Sequence, residues 1–158
     1  MYRRRALSRT SLIRRKRPTE RIVRAGVATL PSQSSTPPNV IGYVFTAKEN
    51  GTLSNFKLEN CIISMSSGTN TTVPYAVVYV PEGYNCNNLT WPAVTDDMYN
   101  PTKNVLMSGI LINSDNRDFK SSRYSRKVVP GDRICLIYQG PLNNAVTVGF
   151  TINFTQSC

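Results

Sequence analysis

The chain contains no histidine. This absence removes the Ser-His and Cys-His pairs that activate nucleophiles, and with them the commonest general base and the commonest zinc ligand. No glycine-rich phosphate loop occurs either. Asp96 and Asp97 are adjacent, so on an extended backbone they point apart, and we expect them to be solvated rather than bound to calcium. The sequence therefore predicts neither an enzyme nor a metal or cofactor site.

Cysteines and long apolar runs are also scarce. The four cysteines are widely spaced and form no C-x-x-C pair; they are Cys61, Cys86, Cys135 and Cys158. We expect reduced, mostly buried thiols, because this spacing suits neither zinc nor a dense disulfide framework. No apolar run approaches the roughly 20 residues that a membrane helix needs, and no apolar segment of a secretory signal follows the basic N-terminus.

What the chain does have is a strongly cationic N-terminus. Of its 19 Lys and Arg residues, ten lie within residues 1–24, against one anion there, Glu20. That is a balance of +9, whereas residues 25–158 hold nine cations and eight anions. Residues 31–38 are Pro- and Ser-rich, typical of a spacer. We expect a disordered basic arm and linker over residues 1–38 and a folded domain over residues 39–158, so that removal of residues 1–24 leaves the domain folded.

The folded part reads as all-β. Val146, Val148, Phe150, Ile152 and Phe154 alternate with smaller or polar residues, which predicts a strand with one buried face at 145–155. Residues 133–139 are apolar on both faces, as in a strand that is covered on each side. Turn residues bound the other predicted strands, which are residues 40–48, 54–66 (with a possible break near Asn60), 73–80, 105–113 and 122–129.

Seven or eight short strands without helical crossovers favour an antiparallel sandwich or barrel. An eight-stranded jelly roll fits this count and size. Periodicity alone does not separate it from an immunoglobulin-like sandwich.

The basic arm predicts a polyanionic partner. Arginine outnumbers lysine nine to one there, which suits phosphate contacts and stacking on exposed bases. We expect little sequence specificity, because no recognition helix accompanies the arm. The nucleic-acid-binding candidates in it are Arg3, Arg4, Arg5, Arg9, Arg14, Arg15, Lys16, Arg17, Arg21 and Arg24. Arg14, Arg15, Lys16 and Arg17 also read as a nuclear localisation signal.

A second basic group lies in the predicted domain. It consists of Arg117, Lys120, Arg123, Arg126 and Lys127, interleaved with Phe119 and Tyr124. The nucleic-acid-binding candidates in it are Lys120, Arg123, Tyr124, Arg126 and Lys127. On one strand, Lys120, Tyr124 and Arg126 would share a face, with Arg123 and Lys127 on the other. The group predicts a phosphate- and base-contacting surface. A polar strand edge that discourages edge-to-edge pairing is the alternative.

Several short motifs resemble the capsid proteins of small circular single-stranded DNA viruses that encode a rolling-circle replication initiator. They are Val78-Tyr79-Val80-Pro81-Glu82-Gly83, Met98-Tyr99-Asn100-Pro101, Asn104-Val105-Leu106-Met107-Ser108-Gly109, Arg123-Tyr124-Ser125-Arg126 and Val129-Pro130-Gly131-Asp132-Arg133-Ile134-Cys135-Leu136. The Arg-rich N-terminus and the alternating last strand match as well.

This resemblance implies a jelly-roll subunit that assembles with about sixty copies of itself into an icosahedral shell. It also implies a single-stranded DNA genome held by the arm, a nuclear import receptor as partner, and location in the virion and the host nucleus. Tyr84 and Trp91 are candidate anchors at subunit contacts. Two alternatives remain open: the coat protein of a satellite or other RNA virus, and a cellular nucleic-acid-binding protein with a basic tail.

Overall fold

The computed structural model describes residues 18–32, 39–65, 71–84, 104–112, 117–141 and 144–158. These residues form nine strands and no helix. The strands are β1 (Thr19–Leu30), β2 (Asn39–Thr46), β3 (Gly51–Met65), β4 (Thr72–Val80), β5 (Val105–Ile112), β6 (Asp118–Ser122), β7 (Arg126–Val128), β8 (Arg133–Gln139) and β9 (Val146–Ser157). No helix in this part of the chain has the length and hydropathy to cross a bilayer.

The strands build two antiparallel sheets. Sheet A has the order β1-β9-β3-β6, with the short β7 also paired to β3. Sheet B has the order β2-β8-β4-β5. The prediction of an all-β antiparallel sandwich is therefore confirmed at the level of two packed sheets.

One apolar core joins the two sheets. Phe154 of β9 contacts Phe45 of β2 edge-on, with ring centroids 5.3 Å apart. The ring centroids of Phe150 of β9 and Tyr138 of β8 are 6.3 Å apart. Burying a large apolar side chain stabilises a fold by about 1.5–3 kcal/mol, so these inward rows supply the main force that holds the sheets together.

The C-terminal strand behaves as its alternation predicts. Val146, Val148, Ile152 and Phe154 are buried, and Phe150 is half-buried against the same core. The residues that alternate with these five are half-buried on the opposite face. Strand β8 is buried on both faces, also as predicted. Ile134, Leu136 and Tyr138 of β8 enter the inter-sheet core. Cys135 and Ile137 pack with Ala76, Val78 and Val80 on the outer face of sheet B.

Strand β1 corrects the expected domain boundary. Residues 19–30 were assigned to the arm, but they pair with β9 in an unbroken register from Thr19↔Ser157 to Leu30↔Val146. The alternation of apolar and polar residues did not indicate this strand, because two apolar residues lie on its outer face and two non-apolar ones on its inner face. Val23 and Val27 are 45% and 64% exposed, while Arg24 and Gly26 occupy inward register positions. Pairing along β9 decides the conformation here, and the folded part begins by Thr19.

Two further strand predictions needed adjustment. The strand expected at 122–129 is divided into β6 and β7, with residues 123–125 between them. Residues 51–65 form one strand rather than two, and its register against β9 shifts between Ser54 and Lys57 and between Ile62 and Ser64. Asn55, at the first shift, has φ of 56°, a left-handed conformation that Asn tolerates.

The cysteines also differ from expectation. Cys135 is disulfide-bonded, so the expectation of reduced thiols fails there; its partner lies outside the described residues. Cys61 and Cys158 are free. The exposed Cys158 thiol donates a hydrogen bond to Glu49 at 2.9 Å, which raises the pKa of the thiol.

Asp132, whose carboxylate is buried, connects the ends of β2, β4 and β7. Asp132 accepts hydrogen bonds from the Tyr79 hydroxyl at 2.8 Å, the Glu82 amide at 3.0 Å and the Val129 amide at 2.8 Å. Its own carbonyl accepts from the amide of Ala47 at 2.8 Å, just beyond β2. Burial and the bond to Asp132 raise the pKa of Tyr79.

Gly131 makes this turn possible. Its φ is +94°, and a Cβ at this position would lie 2.7 Å from the Glu82 side chain. Only glycine satisfies both conditions at low cost. The turn at Pro130-Gly131-Asp132 therefore ends β7 and also fixes the position of β7 relative to β8.

We expect the removal of residues 1–17 to leave the unfolding midpoint unchanged, whereas removal of residues 1–30 lowers the free energy of unfolding by more than about 3 kcal/mol. The longer deletion loses the buried side chains of Ile22 and Leu30 and leaves one edge of β9 unpaired. Urea titration followed by circular dichroism measures both. Equal stability of the two truncated chains would mean that β1 does not support the sandwich.

We expect Asp132→Asn to lower the free energy of unfolding by about 1–3 kcal/mol, because an amide cannot accept all three hydrogen bonds. Asp118→Asn is the matched control. Its carboxylate is partly exposed and pairs with Lys120 at 3.3 Å, so the loss should stay within about 1 kcal/mol. Chemical denaturation of both variants tests this; similar small losses would show that Asp132 does not join the strand ends.

Candidate nucleic-acid interface

Charge is divided unequally between the two sheets. The strands of sheet A contain six cations, Arg21, Arg24, Lys57, Lys120, Arg126 and Lys127, and three anions, Glu20, Glu59 and Asp118. The strands of sheet B contain a single charged residue, Arg133. The strands of sheet A therefore have a net charge of +3, whereas the strands of sheet B have a net charge of +1.

The cations of sheet A lie on both sides of the sheet. Residues directly opposite each other on paired strands share a face. Arg21 lies opposite Thr155, Lys57 opposite Asn153 and Lys127 opposite Thr52, and all of these positions alternate with buried residues. Arg21, Lys57 and Lys127 therefore project from the outer face of sheet A, away from the core.

The outer face of sheet A also has polar side chains that can donate and accept hydrogen bonds. The hydroxyls of Ser54 and Thr155 lie 3.0 Å apart, and the Asn55 amide donates to Thr155 at 3.1 Å. Among the described residues, no anion lies between them and Lys57 on this face, and the one carboxylate of the face, that of Glu59, pairs with Arg117 at 2.6 Å. That hydrogen bond raises the pKa of the exposed Arg117.

The second basic group is brought together only in part. Lys120 lies opposite the buried Leu58, and Arg126 lies opposite the buried Leu53, so both are on the inner side of the sheet edge, as predicted. Lys127 lies on the outer face. Arg123 and Tyr124 lie between β6 and β7 rather than on a strand. The Tyr124 amide donates to the Ser122 hydroxyl at 3.1 Å.

Arg126 is directed inward by an aromatic ring. Its guanidinium lies 4.1 Å from the centroid of Tyr79, whose hydroxyl bonds to Asp132. Such cation–π contacts stabilise by about 0.5–2 kcal/mol. Arg126 therefore stabilises the sandwich edge and is less available to phosphate than Lys127 on the outer face.

The basic arm precedes β1, the edge strand of sheet A. Arg3, Arg4, Arg5, Arg9 and the localisation-signal residues Arg14, Arg15, Lys16 and Arg17 lie outside the described residues. The described chain begins at Pro18, and the next residue, Thr19 of β1, pairs with Ser157 of β9. Ser157 in turn pairs with Thr52 of β3, and Thr52 pairs with Lys127 of β7, so the start of β1 and Lys127 lie in the same row across sheet A. Arg21 and Arg24, assigned to the arm from the sequence, are residues of β1.

The remaining predicted sites are less informative. Tyr84 is 70% exposed at the end of the turn after β4, and Trp91 lies outside the described residues, as do Asp96 and Asp97. In the described part of the chain, no cluster of three or more Cys, Asp and Glu side chains could hold a metal ion.

Sequence reasoning missed Lys57 and the outward position of Arg21. Lys57 is an isolated cation in a segment without other basic residues, so charge density does not indicate it. The period of two in β3 could have indicated it, because Lys57 lies between the inward-facing Phe56 and Leu58 and therefore faces outward.

No protein-family model matches the chain, and no curated protein does. Among solved structures, the chain is similar to the acidic stable capsid structure of Helicobacter pylori bacteriophage KHP30. The identity is 12% and the TM-score 0.35, over 87% of this chain and 93% of that chain.

Proposed function

We propose that this protein is a viral capsid protein that assembles with copies of itself and packages single-stranded DNA through its Arg-rich N-terminal segment. One observation carries the proposal: the strands of sheet A, which the cationic arm precedes, hold six cations and three anions, whereas the strands of sheet B hold a single charged residue, Arg133. A shell wall needs one surface that tolerates a polyanion and other surfaces that can be buried against neighbouring subunits.

The proposed fold is a jelly roll. If β6 and β7, which both pair with β3, count as one interrupted strand, there are eight strands in the described chain. The first then pairs with the last, the second with the seventh, the third with the sixth and the fourth with the fifth. This nesting is what results when one long antiparallel ribbon is wrapped into two sheets, and it supports a jelly roll over an immunoglobulin-like sandwich.

Apolar surface supports self-assembly. On the outer face of sheet B, Ile110 and Ile112 of the edge strand β5 are exposed beside Pro74 of β4. Exposed apolar patches of this kind are typical of surfaces that are buried on association. Tyr84 would contribute a further aromatic anchor.

The arm supplies the packaging chemistry. Residues 1–17 hold eight cations and no anion. About sixty copies would bring roughly 480 positive charges to one compartment, where they displace the counterions of a nucleic-acid genome. Arg14, Arg15, Lys16 and Arg17 would serve nuclear import before assembly, which nuclear accumulation of a fluorescent protein fused to residues 1–24 would report.

A cellular nucleic-acid-binding protein with a basic tail is the second candidate. The cations on the outer face of sheet A favour it, because a shell protein that relied on the arm alone would not need them. It differs from the capsid proposal in its prediction of a stable monomer.

We expect the purified chain to form closed particles of uniform size. About sixty subunits of 17.6 kDa give a mass of about 1.1 MDa. Multi-angle light scattering with negative-stain imaging measures the mass and shape. A monomer at all salt and protein concentrations, with or without single-stranded DNA, would contradict the capsid proposal and favour the cellular binding protein.

We expect particles from the full chain to contain nucleic acid that deoxyribonuclease digests after the particles are opened. Particles from a chain lacking residues 1–17 should contain little, because eight cations per subunit are lost. Absorbance at 260 relative to 280 nm reports the content. Nucleic acid that only ribonuclease digests would favour an RNA virus instead, and unchanged content in the truncated particles would remove the arm from packaging.

A further inference from the structure

Phe119 is an aromatic side chain that the fold leaves uncovered. It is 57% exposed on β6 and lies directly opposite Glu59 of β3. Because Glu59 alternates with the buried Leu58 and Asn60, Phe119 projects from the outer face of sheet A. Phe119 shares this face with the exposed side chains of Val23, Val27 and Ile63. Unlike those aliphatic side chains, an exposed aromatic ring offers a surface on which a base can stack.

Cations flank the ring. Arg117 lies two residues earlier on the same side and is held by Glu59 at 2.6 Å. Lys57, opposite Ser121, is its diagonal neighbour, at about 7–8 Å between backbones. Beyond Lys57, the outer face continues through Asn153 and Thr155 toward Arg21 and Lys127.

A groove lies on the same outer face. Its volume is about 420 Å³, and its lining includes Ala25, Gly149, Thr151 and the ion pair of Arg117 with Glu59. Gly149 forms the floor: a Cβ there would lie 2.9 Å from the Ile63 side chain and 3.4 Å from the Cys61 sulfur. Arg117, which lines the groove, lies two residues before Phe119 in the chain.

We propose that the outer face of sheet A binds single-stranded nucleic acid, with one base stacked on Phe119, phosphates at Lys57 and Arg117, and a neighbouring nucleotide in the groove. The proposal rests on the proposed function only in taking nucleic acid as the partner; it does not require a shell. It assigns the folded domain a binding role separate from that of the arm.

Charge complementarity favours a polyanion over a protein. Among the described residues, the outer face of sheet A has the cations Arg21, Lys57 and Lys127 in addition to the Arg117–Glu59 ion pair. Sheet B, whose strands hold one charged residue, offers the less charged surface for a second subunit. Stacking chooses a single strand over a duplex, because bases in a duplex are already stacked and cannot reach an aromatic ring.

Photo-crosslinking of the full chain tests the contact directly. A single-stranded thymidine oligonucleotide that contains iodouracil is irradiated with the protein, and the crosslinked peptides are identified by mass spectrometry. We expect crosslinks at Phe119 in addition to those within residues 1–17. Phe119→Leu should abolish the first set and leave the second, and Phe119→Tyr should retain both, since it keeps a ring.

Affinity measurements on the same chains separate stacking from charge. Phe119→Leu should weaken binding of the single-stranded oligonucleotide about 5- to 100-fold without changing binding of the duplex, as loss of one stacked base predicts. Lys57→Ala should reduce the slope of log affinity against log salt by about 0.7, the loss of one phosphate contact to a single strand. Ile112→Ala, an exposed apolar change on sheet B, is the matched control and should change neither.

The alternatives give different results. Crosslinks confined to residues 1–17, with unchanged affinity of Phe119→Leu, would overturn the proposal but leave packaging by the arm intact. A change in particle mass without a change in single-strand affinity would make Phe119 a subunit contact and also overturn it. Failure of the full chain to bind either oligonucleotide would contradict the proposed function itself.

Discussion

The two-sided pairing of β9 is the constraint on which sheet A depends. All twelve of its residues pair with β1 on one side, and all except Phe154 pair with β3 on the other. Because side chains alternate along a strand, this pairing sets which residues of β1 and β3 face inward and which face outward, apart from the two register shifts in β3. A shift of one residue would bury Lys57 and expose Leu58, so the apolar row of β9 sets both the core and the charged face.

The same pairing explains why the N-terminal part of the chain has two physical characters. Up to Arg17 it is dense in arginine, and self-repulsion opposes compaction. From Thr19 onward it supplies an edge strand, and Ile22, Ala28 and Leu30 enter the core. Arg21 and Arg24 belong to both descriptions, because the sheet positions their backbones while their side chains remain exposed.

An unequal distribution of charge gives the molecule two unlike faces. Sheet A directs cations and hydroxyls outward together with the exposed apolar side chains of Val23, Val27 and Phe119, whereas sheet B is uncharged except for Arg133. At the sandwich edge Asp132 and Tyr79 hold Arg126 inward, so a cation of the basic group is used for stability. A protein that binds a polyanion on one side and its own copies on another needs this kind of division, which makes the capsid proposal physically coherent.

The sequence by itself determined the cationic arm, the all-β class and most strand positions, because charge density and a period of two are local properties. Residues 133–139 were predicted with the bounds that β8 has, and both of its faces are buried as expected. Tertiary structure alone decided that β1 is a strand, that the segment around Arg123 is interrupted, that Cys135 is disulfide-bonded, and that Lys57 and Phe119 share a face. These outcomes depend on partners far apart in the chain: Ser54 and Thr155, for example, bond across 101 positions. No local pattern specifies such a partner, since the choice follows from which long-range register buries the most apolar surface while satisfying the backbone hydrogen bonds.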